Sequence, residues 1–251
     1  MPIVDDKHIF AIFIKKGLLT SNLQKLLVTR QSYPELFFRL KNVLRAQIGQ
    51  KYFFFNDDYY AEACIDAINN DEVSGDILGI YATPTPRYQV HLFLAMPKKA
   101  AFEEALYLAV VAGVSAITPL QTEKSSSCAW FNINNPRLAK IMVSAREQAK
   151  TFTKVSINAP QTLSTALKSS TSPFLLFSPE GCSFFTLQQR LASQFTQEMQ
   201  VNILVGPEAD FTLLEKEQIL QHPSAELVAL TKSILRVPEA TFLACALFNL
   251  K

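Results

Sequence analysis

Residues 201–241, VNILVGPEADFTLLEKEQILQHPSAELVALTKSILRVPEAT, hold two junctions that decide the fold. In the first, the β-branched and apolar run 201–205 breaks into Gly206-Pro207-Glu208-Ala209-Asp210-Phe211. A helix then begins that Thr212 can cap, with Glu215 three residues on. In the second, the apolar run 227–230 breaks into Thr231-Lys232-Ser233-Ile234-Leu235-Arg236 before an apolar helix starts near Pro238. Two strand–loop–helix junctions about 25 residues apart have the repeat length of an α/β unit. Both loops are expected at the carboxyl ends of parallel strands, where open α/β sheets bind ligands.

Upstream of this stretch the same alternation continues. Residues 89–95 read as a strand, 100–112 as a helix, 115–118 as a strand, 136–150 as a helix, 174–177 as a strand and 186–195 as a helix. Strands alternating with helices predict a mostly parallel sheet covered on both faces. Thr83-Pro84-Thr85-Pro86 interrupts any regular element, because neither proline fits a helix interior or a central strand. We take 83–88 as a linker between domains at 1–82 and 89–251. The first domain reads as β-rich. Strands are expected at 8–15, 51–55 and 59–68, with the turn Asn56-Asp57-Asp58 between the last two. Apolar residues at helical spacing over 34–46 add one helix, which Gly49 ends. A small barrel carrying a helix is the economical reading.

The chain has 251 residues, 49% hydrophobic and 18% charged, which is enough for one large domain or two modest ones with a packed core. The apolar, nearly uncharged run 105–120 is shorter than the roughly 20 residues of a membrane span and contains Gly113 and Pro119. The amino terminus has early acids and no apolar block, so no secretory signal is expected. Cys64, Cys128, Cys182 and Cys245 form no C-x-x-C pair, which points to reduced core cysteines of a cytoplasmic protein and against a metal site. His8, His91 and His222 fall in no motif and read as structural.

Net charge is only +2, but it is unevenly distributed. From Lys7 to Lys51 nine basic residues stand against the single acid Glu35, whereas 52–86 holds seven acids and no lysine or arginine. Such a split suits a domain that holds a phosphate backbone on one face, and equally a solvated surface on which the two signs mix after folding.

Several ordered blocks resemble the ribosomal RNA small subunit methyltransferase E family. Arg39-Leu40-Lys41-Asn42-Val43-Leu44-Arg45 with Gly49 matches its first block, and Met96-Pro97-Lys98 with Gly113-Val114-Ser115-Ala116-Ile117-Thr118-Pro119-Leu120 its second. Thr122-Glu123-Lys124-Ser125 stands at its S-E-R-S, Glu147-Gln148 at its E-Q-S, Gly206-Pro207-Glu208 at its G-P-E-G-G-F and Ser233-Ile234-Leu235-Arg236 at its R-I-L-R. The resemblance implies a PUA-like amino-terminal β-barrel followed by a SPOUT domain, whose last segment threads a loop in a deep trefoil knot. It implies S-adenosylmethionine as cofactor, N3 of a uridine in 16S rRNA of the small ribosomal subunit as target, and a homodimer.

Residue by residue, the resemblance places the cofactor among Ser178, Gly206, Pro207, Glu208, Ala209, Asp210, Leu230, Thr231, Ile234, Leu235 and Val237. Arg236 is the expected stabiliser of anionic character on the base, or the holder of a phosphate, because a guanidinium stays charged and donates in a fixed fork. Glu208 is a second catalytic candidate, as proton acceptor or loop holder. Arg39, Lys41, Arg45, Lys98 and Lys150 are the expected RNA contacts. The chain departs from the pattern where the paired glycines become Ala209 and Asp210, where L-G becomes Leu230-Thr231, and where E-T-A becomes Pro238-Glu239-Ala240. Asp210 offers a carboxylate to the cofactor's ammonium group in exchange. The same departures define an alternative, a catalytically impaired homologue that binds RNA or ribosomes.

Overall fold

Residues 9–14, 17–184, 186–187, 189, 199–231 and 233–249 are described by the computed structural model. They divide into two compact units, one of residues 1–84 with 146–154 and one of 85–145 with 155–251.

The first unit is a five-stranded sheet of β1 (Phe10–Phe13), β2 (Lys25–Thr29), β3 (Lys51–Phe55), β4 (Tyr59–Ile68) and β5 (Glu72–Ala82), ordered β1-β3-β4-β5-β2. β1 runs parallel to β3, and the other pairs are antiparallel. The expected barrel is not closed by hydrogen bonds among the described residues, since β1 and β2 are the two ends of the pairing path. β2 covers only half of β5, pairing over Glu72 to Asp76 and leaving the rest of β5 with β4 alone. One face of the sheet packs Ile12, Tyr52, Phe54, Ala61, Ala63 and Ile65 against Phe37 and Leu40. Those two residues come from a helix that the spacing predicts as one piece over 34–46. It is instead α1 (Pro34–Phe38) running into a π-helical turn, Arg39–Val43, with Leu44 N bonded to Arg39 O at 2.8 Å. Arg45, in the left-handed region at φ 51°, turns the chain out of it.

The opposite face is covered by residues 146–154. The Arg146 guanidinium lies 5.3 Å from the Phe13 ring centre and 5.0 Å from that of Phe55, donates to Asp57 Oδ1 at 2.9 Å, and reaches the Phe152 carbonyl at 2.9 Å. Phe152 packs on Phe53, Phe55 and Tyr60 at centroid distances of 5.5, 5.2 and 4.5 Å.

The second unit is a mixed α/β fold on a parallel sheet, as the alternation predicts. Its strands are β6 (Tyr88–Ala95), β7 (Ala116–Gln121), β8 (Ser156–Ile157), β9 (Gln161–Thr162), β10 (Phe174–Ser183), β11 (Met199–Val205) and β12 (Ala225–Ala229). Their order is β12-β10-β11-β6-β7-β8, with β9 also on β7, and every pairing is parallel. Pro119 sits inside β7, between the residues that pair β8 and those that pair β9, so on that side its missing N–H falls in a gap of the ladder. The helices are α2 (Lys99–Val111), α3 (Pro136–Ala149), α4 (Leu163–Lys168), α5 (Leu213–Leu220) and α6 (Val237–Ala246). α2 buries Phe102, Ala105, Leu106, Ala109 and Val110 and packs against α6. Most of the helix expected at 186–195 lies outside the described residues.

All four cysteines are free, and only Cys245 is a core residue; Cys182 is exposed. Among the described residues no helix is long and apolar enough to cross a membrane, and no cluster of three or more metal-ligating side chains occurs.

Candidate functional site

β10, β11 and β12 are neighbours in one parallel sheet, so the chain leaves all three at the same edge. Three groups of predicted residues gather there. After β11, Gly206 and buried Pro207 open a turn closed by Asp210 N on Pro207 O at 2.9 Å. Asp210 takes φ 58°, a conformation aspartate tolerates better than most residues because its side chain bonds locally. Here Asp210 Oδ1 accepts the Phe211 N–H at 2.7 Å and Oδ2 meets Lys216 Nζ at 2.6 Å. A Cβ at Gly206 would lie 3.1 Å from Asp210 Oδ1 and 3.2 Å from the Phe211 ring, so a larger residue there crowds the turn.

The loop is tied down from outside as well. Glu208 Oε1 accepts the backbone N–H of Lys98, the residue before α2, at 3.1 Å, and Lys124 Nζ donates to the Ala209 carbonyl at 3.1 Å. Thr212 and Glu215 form a complete capping box on α5, and the other oxygen of buried Glu215 accepts Glu123 N–H at 2.9 Å. Lys124 and the second bond of Glu215 went unread in the sequence. The box itself is a local pattern, but its reach to residue 123 spans 92 positions.

The second group is a bulge in β10. Phe177 and Cys182 both pair with Val228, so residues 178–181 stand out from the ladder. Gly181 is obligatory, because a Cβ there would lie 2.4 Å from the Val228 backbone. Ser178 donates to the Glu180 carboxylate, which this bond holds below the usual carboxylate range. The third group follows β12. Leu230 and Leu235 are half-buried, Thr231 Oγ1 accepts Ser233 N–H at 3.2 Å, Ile234 is fully exposed, and Val237 is buried in the first turn of α6.

Arg236 is the residue before α6. It pairs with Glu239 one turn on and lies 3.8 Å from Glu104 of α2, and its pairing with Glu239 raises its affinity for the proton. Among the described residues no hydrogen bond joins Glu208 to Arg236, so the two catalytic candidates stand on separate supports. Glu239 Oε2 and Thr241 Oγ1 are buried without a hydrogen-bond partner.

The predicted RNA contacts are divided between the two units. Arg39 makes a two-pronged ion pair with Glu147, at 2.8 and 2.7 Å, while the Phe13 N–H adds 2.8 Å to the same carboxylate. Lys41 Nζ donates to Asn69 O and Asn70 Oδ1 at 2.8 and 3.2 Å. Arg45 and Lys150 are exposed, each at φ 51°. Lys98 is exposed in the second unit. A cleft of about 440 Å³, lined by Tyr107, Asn135, Arg137, Lys140, Ile141 and Ser144, contains no residue of the three loops. The three loops share one strand edge, which the cleft does not.

Residues 83–249 match the family model described as an RNA methyltransferase domain. Over 208 residues the chain is 26% identical to ribosomal RNA small subunit methyltransferase E of Rickettsia conorii, covering 82% of this chain and 83% of that protein. The fold is similar to the crystal structure of ribosomal RNA small subunit methyltransferase E from Neisseria gonorrhoeae bound to S-adenosylmethionine. The TM-score is 0.72 at 22% identity, over 95% of this chain and 96% of that one. It is also similar to a methyltransferase from Legionella pneumophila solved with the same cofactor, at TM-score 0.69 and 20% identity over 96% and 97% of the two chains. With its second unit spanned by the family model, the chain belongs to the RNA methyltransferase family, as a member similar to ribosomal RNA small subunit methyltransferase E.

Proposed function

We propose that this protein is an S-adenosylmethionine-dependent methyltransferase acting on N3 of a uridine in 16S rRNA of the small ribosomal subunit. The observation that carries the reading is the convergence of residues 178–181, 206–210 and 230–237 at one edge of three adjacent parallel strands. The cofactor supplies an already activated methyl group, and the protein's task is to align it with the acceptor nitrogen. Backbone groups of Gly206, Ala209, Leu230 and Leu235, with Ser178 and Thr231, are the cradle. The buried Glu239 and Thr241 oxygens, left without a partner among the described residues, fit a site that a ligand completes.

Asp210 is not the ammonium ligand in this reading, because its carboxylate is already engaged by Lys216 and the Phe211 N–H. Glu208 holds the loop to the start of α2. Arg236, exposed beside Glu239, is the group that turns to the base and stabilises its charge as the N3 proton passes to solvent water. The knot, a PUA-like role for the first unit, the 1–82 and 89–251 division, RNA contacts from Arg45, Lys98 and Lys150, a homodimer and a cytoplasmic location complete the proposal. Calorimetric titration with S-adenosylmethionine, followed by methyl transfer to 30S subunits, tests it. Arg236→Ala should slow transfer by roughly a hundredfold with cofactor binding kept. Absence of binding at millimolar cofactor sinks the enzyme reading and leaves the impaired, RNA-binding homologue.

A further inference from the structure

The first unit carries an aromatic column that its fold does not use up. Phe152 rests on Phe53 and Phe55, Tyr60 stacks on Phe152 with centroids 4.5 Å apart and planes 17° from parallel, and Tyr81 stacks on Tyr60 at 5.1 Å and 27°. Tyr60 and Tyr81 are directly paired across β4 and β5, so the column is built into the register. Tyr81 also lies over Gly79, where a Cβ would meet its hydroxyl at 2.5 Å, so the ring is laid down along the strand. It remains 52% exposed.

Three surroundings say what fits this ring. β5 is paired with β2 only as far as Asp76, and Ile77 N–H still reaches Gln24 O at 3.1 Å, so among the described residues the open edge of β5 begins after Ile77. Asp57 is paired with Arg146 at 2.9 Å, Glu62 with Lys51 at 2.8 Å and Glu147 with Arg39 at 2.7 Å. Lys154 is exposed and stands two residues after Phe152 in the chain. A flat ring, an open edge of backbone donors and acceptors, and an exposed cation in the covering segment are what an unpaired nucleotide needs for its base face, its base edge and its phosphate. A peptide added as a strand would use the edge but neither the ring face nor the lysine.

We propose that Tyr81 is a stacking platform for an unpaired base of the RNA substrate, with exposed Lys154 of the covering segment as the phosphate partner. This rests on the reading of the protein as an RNA-modifying enzyme and names how its first unit holds single-stranded RNA.

The test uses the full-length protein, a fluorescein-labelled uridine dodecamer, the same oligomer carrying one 2-aminopurine, and an RNA duplex of equal length. Tyr81→Phe should bind the oligomer within about twofold of the parent. Tyr81→Leu keeps apolar cover over Gly79 and Tyr60 but has no π face, and should weaken binding about 5- to 150-fold, with duplex affinity unchanged. Quenching of 2-aminopurine on binding should be present in the parent and lost in Tyr81→Leu. Equal affinity of Tyr81→Leu and parent, or no quenching in the parent, overturns the platform. Failure of the two readings separates cleanly. Cofactor binding and methyl transfer with an indifferent Tyr81 remove the platform alone, whereas Tyr81-dependent RNA binding without any cofactor binding removes the methyltransferase alone.

Discussion

Asp210 and His91 illustrate what a single side chain settles here. Asp210 stands where a glycine is expected, yet keeps the left-handed turn because its own carboxylate caps the next N–H. The same bond withdraws that carboxylate from any ligand, a consequence legible only once Lys216 is placed beside it. His91 is held by Thr118 Oγ1 at 2.7 Å, which also accepts Asn158 Nδ2 at 2.9 Å, and its ring stacks on Phe93. Burial pushes its pKa down to about 4 from 6.5. Between those values the unfolded chain binds the proton and the folded one does not, so stability falls as pH drops through that window, by up to about 3 kcal/mol. The urea midpoint should therefore decline from pH 6.5 to 4, and His91→Phe should flatten the decline; an unchanged slope would assign it to other groups.

At the scale of elements, local patterns translated well and distant ones did not. The Thr212 cap was readable because its chemistry lies within four residues, and α2, α3 and the strand 201–205 because their apolar periods are long or unbroken. β5 was unread because Ser74, Gly75, Asp76 and Gly79 look like turn residues, although Gly75 serves a close approach: a Cβ there would lie 2.7 Å from the Cys64 carbonyl oxygen. The 178–181 bulge and the π-helical turn are departures from register that no hydropathy period encodes. The capping box gives an element-level prediction. Thr212→Ala should cost about 1 kcal/mol in urea unfolding. Glu215→Ala should cost more, because it also strands the Glu123 N–H; equal losses would mean that second bond carries no weight.

For the whole molecule, the least legible fact is that residues 146–154 belong to the unit formed by 1–84. Arg39 and Glu147 are 108 positions apart, and Arg146 and Asp57 are 89 apart, separations that no pattern of neighbours reveals. A fragment of residues 1–84 leaves Phe53, Phe55 and Tyr60 without Phe152, and should show no cooperative thermal transition. Fusing 146–154 to it through a short glycine-serine linker should restore one, and a cooperative melt of the bare fragment would contradict this. The two prolines at 84 and 86 mark a break in the chain and not the end of the first unit's contents, because its covering segment comes later.

That late segment also sets a schedule. During synthesis the strands that carry the aromatic residues of the first sheet are complete once Ala82 is made, while their cover arrives only with Lys154. At roughly 5–20 residues per second the intervening stretch of about 70 residues takes some 4–14 s. For that interval the newborn chain displays a bare aromatic surface, which makes this the period in which a nascent-chain chaperone has something to hold.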